Sequence, residues 1–252
     1  MKRRKRKKVT AMGLAVVMAA TVPMQVFATE GIEENTQVNE QADVTGSAVG
    51  EQAEGFSFQF DATTGTAAVT GYTGVDTAIA IPAQTVKGGI TYKVTSVAER
   101  AFYNNDSIIS VIFEGGIKNI GNSAFENCDS LQKVELCDSI ENMGESVFQD
   151  CSQLKEVRLS AGLKQISDDM FYQCRNLKEI QIPDAVELID WGAFACCTSL
   201  EKVVFSSSSM CKTIGNSAFG GCTTLKNVTL SPLTESIHAR AFYGCSNISS
   251  IV

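Results

Sequence analysis

Histidine is almost missing from this chain. One residue in 252, His238, carries an imidazole, so histidine-ligated metals and nucleophile–base pairs have one side chain to draw on. Cysteine does not occur before Cys128, which leaves no N-terminal cysteine for lipid modification. Residues 29–54, "TEGIEENTQVNEQADVTGSAVGEQAE", hold no lysine or arginine, seven carboxylates and almost no large apolar side chain. Such a stretch cannot bury enough surface to offset its ordering entropy and is expected to be an acidic disordered linker. Beyond residue 28 no apolar run is long enough to cross a bilayer.

The first 28 residues have a different character. "MKRRKRKK" is a basic leader, "VTAMGLAVVMAATVPM" an apolar segment of signal-peptide length, and Val26-Phe27-Ala28 the expected cleavage site. A retained anchor is the competing reading, but the apolar run is short for a span and is interrupted by Thr, Gly and Pro. Cleavage leaves 14 basic against 28 acidic side chains, a formal charge of −14. An acidic chain is a poor fit to nucleic acid, whose phosphates need basic surface, and to an anionic membrane. The expected product is secreted or displayed at the cell surface, with no membrane partner after cleavage.

What is present is a repeat. "IGNSAFENC" (120–128) returns as "IGNSAFGGC" (214–222), and "GESVFQDC", "SDDMFYQC" and "DWGAFACC" lie between them. The anchoring phenylalanines are Phe102, Phe125, Phe148, Phe171, Phe194, Phe219 and Phe242, at spacings of 23, 23, 23, 23, 25 and 23. A fixed period in this range signifies a leucine-rich-repeat solenoid, whose units bury their apolar faces only by stacking. Aligned on the Phe, five residues earlier come Val97, Ile120, Met143, Ile166, Ile189, Ile214 and Ile237. Six later come Ile108, Leu131, Leu154, Leu177, Leu200, Leu225 and Ile248, and nine later Val111, Val134, Val157, Ile180, Val203, Val228 and Ile251. "VEL", "VRL", "IQI" and "VTL" alternate as short half-buried strands, which stacking places in a parallel sheet on the concave face. The "AF" portion predicts a turn of α- or 3₁₀-helix on the opposite wall. The two-residue insertion in "FSSSSMCKTIG" predicts a bulged loop.

Residues 55–95 lack the period but alternate like strands in "FSFQF", "TAAVTGY", "AIAIPA" and "ITYKVTSV". They are expected to form an N-terminal β cap over the first of seven repeats at 96–252, the last incomplete. The "IGNSAFENCDSLQKVEL" unit with its "GYTG...IP...YKVTSV" lead-in resembles the leucine-rich repeats of BspA-like, or Treponema pallidum-type, surface proteins. The resemblance implies a secreted or surface-attached protein with adhesion to host or microbial partners as its role. It covers residues 56 to 252, with Asn105 standing in repeat 1 where later repeats have Cys.

Several columns invite a chemical reading. Cys128, Cys151, Cys174, Cys197, Cys222 and Cys245 form a line of sulfurs, where zinc wants four ligands converging on a tetrahedron; no metal or cofactor is expected. Disulfides between neighbouring rungs compete with buried free thiols acting as small apolar groups, and the thiol reading is favoured because parallel side chains would strain the bond. His238 shares a column with Ala98, Gly121, Gly144, Ser167, Asp190 and Gly215, read as a tight-turn site, and no nucleophile or acid is placed around it, so no catalytic residue is assigned. Along the strands Lys133–Glu156, Glu135–Arg158 and Glu179–Lys202 are expected cross-strand ion pairs. Trp191, Tyr103, Tyr172 and Tyr243 lie outside the core columns and are the candidate partner-binding residues, since exposed aromatics serve as hot spots.

The expectation is a non-catalytic interaction or adhesion scaffold whose ligand is a protein or glycan of a host or microbial surface. The alternative is a structural repeat module of a larger secreted protein or enzyme whose other domain lies beyond residue 252. "AFYGCSNISSIV" stops within a strand, so further repeats, a domain or a subunit are expected to cover that edge.

Overall fold

The computed structural model describes residues 53–252. The segment expected to be a signal peptide, 1–28, and all but the last two residues of the expected linker, 29–54, lie outside the described residues. The described part begins with an antiparallel hairpin of β1 (Phe56–Asp61) and β2 (Thr66–Tyr72). The Asp61 carboxylate fixes its turn by accepting the backbone N–H of Thr63 at 2.8 Å and of Thr64 at 3.3 Å. Next come β3 (Ala78–Ile81), β4 (Gln84–Lys87) and β5 (Ile90–Val97). Alternation alone did not show β4. It pairs antiparallel with β5 around Gly88-Gly89, whose φ values of 59° and 78° supply the left-handed turn a two-residue hairpin requires. β3 and β5 then run parallel to strands of the repeats. The cap is therefore fused to the stack by backbone hydrogen bonds, covering what would be an open sheet edge.

Each of the seven coils is numbered here by its phenylalanine, from Phe102 in coil 1 to Phe242 in coil 7. A longer strand follows the phenylalanine and a shorter one leads into the next coil. In chain order these are β6 (Ser110–Phe113) and β7 (Asn119–Ile120), β8 (Lys133–Glu135) and β9 (Asn142–Met143), β10 (Glu156–Arg158) and β11 (Gln165–Ile166). They continue with β12 (Glu179–Gln181) and β13 (Leu188–Ile189), β14 (Lys202–Val204) and β15 (Thr213–Ile214), β16 (Asn227–Val228) and β17 (Ser236–Ile237), and β18 (Ser250–Ile251). The expected parallel sheet is present: Lys133 lies opposite Glu156, and Glu179 opposite Lys202, so residues one period apart are neighbours. The shorter strands add a second parallel sheet. Its inward column, Ile120 to Ile214, was legible as apolar but not as strand.

The core is the set of apolar columns. Phe102 through Phe219 are buried, and the seven rings stack with centroids 4.5–5.5 Å apart. A column of near-parallel rings at that spacing adds offset-stacking attraction to the burial. The six column cysteines are free thiols, and each donates its Sγ–H to the carbonyl of the preceding coil's phenylalanine, from Cys128 on Phe102 at 3.1 Å to Cys245 on Phe219 at 3.0 Å. Burial pushes the Cys151, Cys174 and Cys197 thiols well above their ordinary range, which keeps them protonated and inert.

The wall around the phenylalanines corrects the expectation of a helical turn, for no helix occurs among the described residues. In coil 2 the N–H groups of Ser123, Phe125 and Asn127 bond the carbonyls of Glu145, Val147 and Gln149 in coil 3, at 2.9 Å each. Ser123 and Asn127 are left-handed, with φ of 55° and 58°. A left-handed residue two before and two after the phenylalanine breaks the helical path, and all three donors point toward the next coil. A helix would direct them along its own axis. The same positions are left-handed in coils 1, 3 and 4, at Arg100 and Asn104, Ser146 and Asp150, and Asp169 and Gln173. The His238 column, read as the tight turn, contains no residue of positive φ. The expected bulge of coil 5 is a turn at 206–209, closed by Ser209 N–H to Ser206 O at 3.2 Å.

Candidate interaction surface

The four candidate aromatics all lie on the turn wall, but in different coils. Trp191 precedes Phe194 by three residues, and the turn leaves its side chain 51% exposed. Its backbone is fixed on both sides: its N–H donates to Asp190 Oδ1 at 2.8 Å and Asp168 Oδ1 at 3.1 Å, and its carbonyl accepts Asp169 N–H at 2.9 Å. Tyr172, one coil earlier, is half-buried, and burial lifts its hydroxyl above the usual range. Tyr103, also half-buried, carries the Arg100 guanidinium 3.8 Å above its ring. Tyr243 is 74% exposed in coil 7. The fold thus brings Trp191 and Tyr172 to adjacent coils and leaves Tyr103 and Tyr243 as separate features.

The residues that sequence reasoning missed are the carboxylates around Trp191. Burial, then repulsion from Asp190, raises Asp168. Burial, then Asp168 and Glu145, raises Asp169 from 3.8 to about 6. The Asp169 Oδ1 fills the space a Cβ would take on Gly192, 2.2 Å from that point, so glycine beside the tryptophan is what admits the carboxylate. The adjacent pair Asp168-Asp169, at positions that read Asn-Ser or Glu-Ser in coils 2, 3 and 6 and hold two adjacent carboxylates in no other coil, was the available signal. An exposed indole on a backbone held by Asp168 and Asp190 presents a flat apolar face on a wall that also carries hydrogen-bond acceptors, the pairing that sugars and basic peptide segments both use.

That cluster has a measurable cost. A carboxyl whose folded pKa is raised destabilises the fold above that pKa, and the penalty fades as pH falls through about 6 toward 4. The rise corresponds in full to roughly 3 kcal/mol, and solvent screening of a partly exposed group cuts this to about 1 kcal/mol. Asp169→Asn, which the left-handed backbone tolerates, is therefore expected to stabilise by about 1 kcal/mol at pH 7.5 and to give no gain at pH 4. Urea titrations at the two pH values check it, and an equal effect at both would rule out the carboxylate charge as the cause.

On the sheet face Lys133–Glu156 (3.8 Å) and Lys202–Glu179 (2.9 Å) form as expected. Glu135–Arg158 does not. Arg158 turns back to grip both oxygens of Asp138 at 2.9 Å and the Leu136 carbonyl, while Glu135 takes Lys133 at 2.8 Å. A bidentate carboxylate plus a carbonyl outcompetes a single contact along the strand. His238 is exposed in coil 7. Among the described residues no group of three or more His, Cys, Asp or Glu side chains is arranged to hold a metal ion.

A family model described as the BspA type leucine rich repeat region matches residues 87–201 and 187–252, in six copies. Among solved structures, a leucine-rich cell surface protein from Faecalibacterium prausnitzii is 29% identical with a TM-score of 0.68. That match covers 79% of this chain, which spans 52% of the other's length. The T. pallidum leucine-rich repeat protein is 28% identical with a TM-score of 0.69, over 78% of this chain and 89% of its own. The pneumococcal vaccine antigen PcpA, 20% identical over 79% of this chain and 69% of its own, shares the fold with a TM-score of 0.50. No curated protein matches.

Proposed function

The chain belongs to the BspA-type leucine-rich-repeat family, and from that we propose that it is a secreted or cell-surface, non-catalytic scaffold that binds a protein or glycan of a host or microbial surface. The observation that carries this reading is Trp191, half exposed on the turn wall, with its backbone N–H held by the carboxylates of Asp168 and Asp190. Core packing explains the repeated columns but not this side chain, whose column otherwise holds Glu99, Asn122, Glu145, Asp168, Asn216 and Ala239. The likeness to a leucine-rich cell surface protein supports the extracellular setting. Tyr172 on the preceding coil extends the same contact area, and Tyr103 and Tyr243 serve as outlying contacts.

Binding of the secreted chain to immobilised mucins, matrix glycoproteins and bacterial cell-wall glycans tests the proposal. Saturable binding is expected, and Trp191→Ala is expected to weaken it at least about tenfold, as truncation of a hot spot does. Absence of binding to all three classes, or binding indifferent to the substitution, would sink it. One observation favours the second reading, a module of a larger assembly: Leu233, Ile237, Ile251 and Val252 expose apolar surface on the last coil. Further repeats, a domain or a subunit would cover it, and a stable monomer at high concentration by light scattering counts against the subunit.

A further inference from the structure

The coils are not equally joined. Along the longer strands, Gln132 N–H bonds Ile109 O (2.7 Å), Lys155 N–H bonds Gln132 O (2.9 Å), and Glu201 N–H bonds Lys178 O (2.8 Å). Between coils 3 and 4 the corresponding bond from Lys178 to Lys155 does not form. Farther along the strand, Leu136 N–H bonds Arg158 O and Ile182 N–H bonds Val204 O, both at 2.9 Å, whereas Leu159 makes no such bond to Gln181. The shorter strands break at the same level. Gly144, Asp190 and Gly215 each donate their N–H to the preceding coil at 2.7–2.9 Å, while at Ser167 the side-chain hydroxyl takes the Met143 carbonyl instead, at 2.7 Å. Hydrogen bonding accordingly ends both sheets at β9 and β10 and resumes in both at β11 and β12. The sheet of longer strands is interrupted once more between β14 and β16, but there the Val204–Thr229 bridge and Lys226 N–H to Glu201 O at 3.4 Å remain and the other sheet runs on through β15 and β17, so coils 3 and 4 meet at the junction where both sheets part. Val157 is half-buried, where its counterparts Val111, Val134, Ile180, Val203 and Val228 are buried, and a groove of about 440 Å³ runs over it.

The turn wall does not share the break. Ser146, Phe148 and Asp150 donate to Asp168, Met170 and Tyr172 across this junction at 2.8–2.9 Å, and the Phe148 and Phe171 rings remain stacked at 5.5 Å. Two features of the sequence account for the opening on the other side. First, the charge pattern inverts: elsewhere opposite charges follow one another, as in Lys133–Glu156, Glu179–Lys202 and Glu201–Lys226. At this junction Lys155 stands in the column of Lys178, and Glu156 in that of Glu179, and like charges side by side repel. Second, coil 3 is drawn toward coil 2. Arg158 holds Leu136 O and Asp138, Ala161 N–H holds Asp138 Oδ1 at 3.2 Å, and the buried Ser160 hydroxyl holds Ile140 O at 2.6 Å.

We propose that the junction between coils 3 and 4 is a hinge, at which two hydrogen-bonded blocks pivot on the continuous turn wall while both sheets open and close, with the Lys155/Lys178 and Glu156/Glu179 repulsions favouring the open side. One block is the cap with coils 1 to 3, and the other is coils 4 to 7. The hinge belongs to the free protein and does not depend on the adhesion reading. It gives a rigid repeat stack one place where its binding face adapts, and a partner lying across β8 to β14 would couple its binding to closure.

Native-state hydrogen exchange on the full chain, resolved by residue, tests this directly. The amides of Ser167, Lys178 and Glu179 are expected to exchange at least about tenfold faster than their counterparts one coil on, Asp190, Glu201 and Lys202. Ser146, Phe148 and Asp150, which cross the same junction on the turn wall, should stay protected. Equal protection of the two triplets would overturn the hinge, and so would equally fast exchange on the turn wall, which signals general loosening. Lys155→Glu, which places opposite charges across the junction and removes only an exposed contact to Gln132, is expected to bring the ratio down to about threefold. An unchanged ratio in that variant would overturn the charge-driven opening.

Discussion

Phe171→Ala is expected to remove about 3–5 kcal/mol of stability and to divide unfolding into two transitions. Phe171 is fully buried, its ring 5.5 Å from Phe148 and 5.2 Å from Phe194, nearly parallel to both. Truncation removes two ring contacts and leaves a cavity that main-chain bonds on either side prevent from collapsing. The split follows from the location. In a repeat stack cooperativity is carried by the interfaces between neighbours, and the interface between coils 3 and 4 is the one at which both sheets are interrupted among the described residues. What joins the two coils is the turn wall, the Ser167 and Cys174 side-chain bonds to Met143 and Phe148 carbonyls, and the packed columns, of which the ring column is the part this substitution cuts. Phe125→Ala, in a junction with both sheets intact, should cost a similar amount and keep one transition. Trp191 lies in the second block, so its fluorescence reports that block while far-UV circular dichroism reports both. Coincident urea transitions by the two probes in Phe171→Ala would refute the argument.

The stack was legible because stacking demands the same residue at the same place in each coil. Phe, Cys, Leu and Val columns are read straight from spacing, and the family resemblance rests on the same columns. The turn wall was not legible as such. Its left-handed positions, two residues before and after each phenylalanine, hold Ser, Asp, Arg, Gln and Cys as well as Asn and Gly, so no single residue type announces them. The neighbouring coil's carbonyls stabilise a handedness that the local sequence would disfavour. Column reasoning also fails where a long side chain leaves its column. Arg158 abandoned Glu135 for Asp138 because a corner carboxylate lay within reach of a flexible guanidinium. The carboxylates around Trp191 and the inverted charges at the hinge were each visible as letters, but their meaning depends on which coils face each other and how closely.

Gly121→Ala is expected to cost about 2–3 kcal/mol, through overpacking. Gly121 does not have a positive φ, so the glycine is not there for backbone freedom. A Cβ on it would lie 2.4 Å from Glu99 N and 2.8 Å from both Ala98 C and Glu99 Cα. All three are backbone atoms of the preceding coil, held by Gly121 N–H to Val97 O at 2.9 Å and Arg100 N–H to Asn122 O at 3.0 Å, so the methyl group can be admitted only by parting the coils. The order of substitutions separates this account from the tight-turn reading. A left-handed site would accept Asn better than Ala, whereas a site of close approach rejects the larger residue more strongly. Urea unfolding should rank stability as Gly, then Ala, then Asn. If Asn proved better than Ala, the close-approach argument would fail and a left-handed turn would have to be restored at this position.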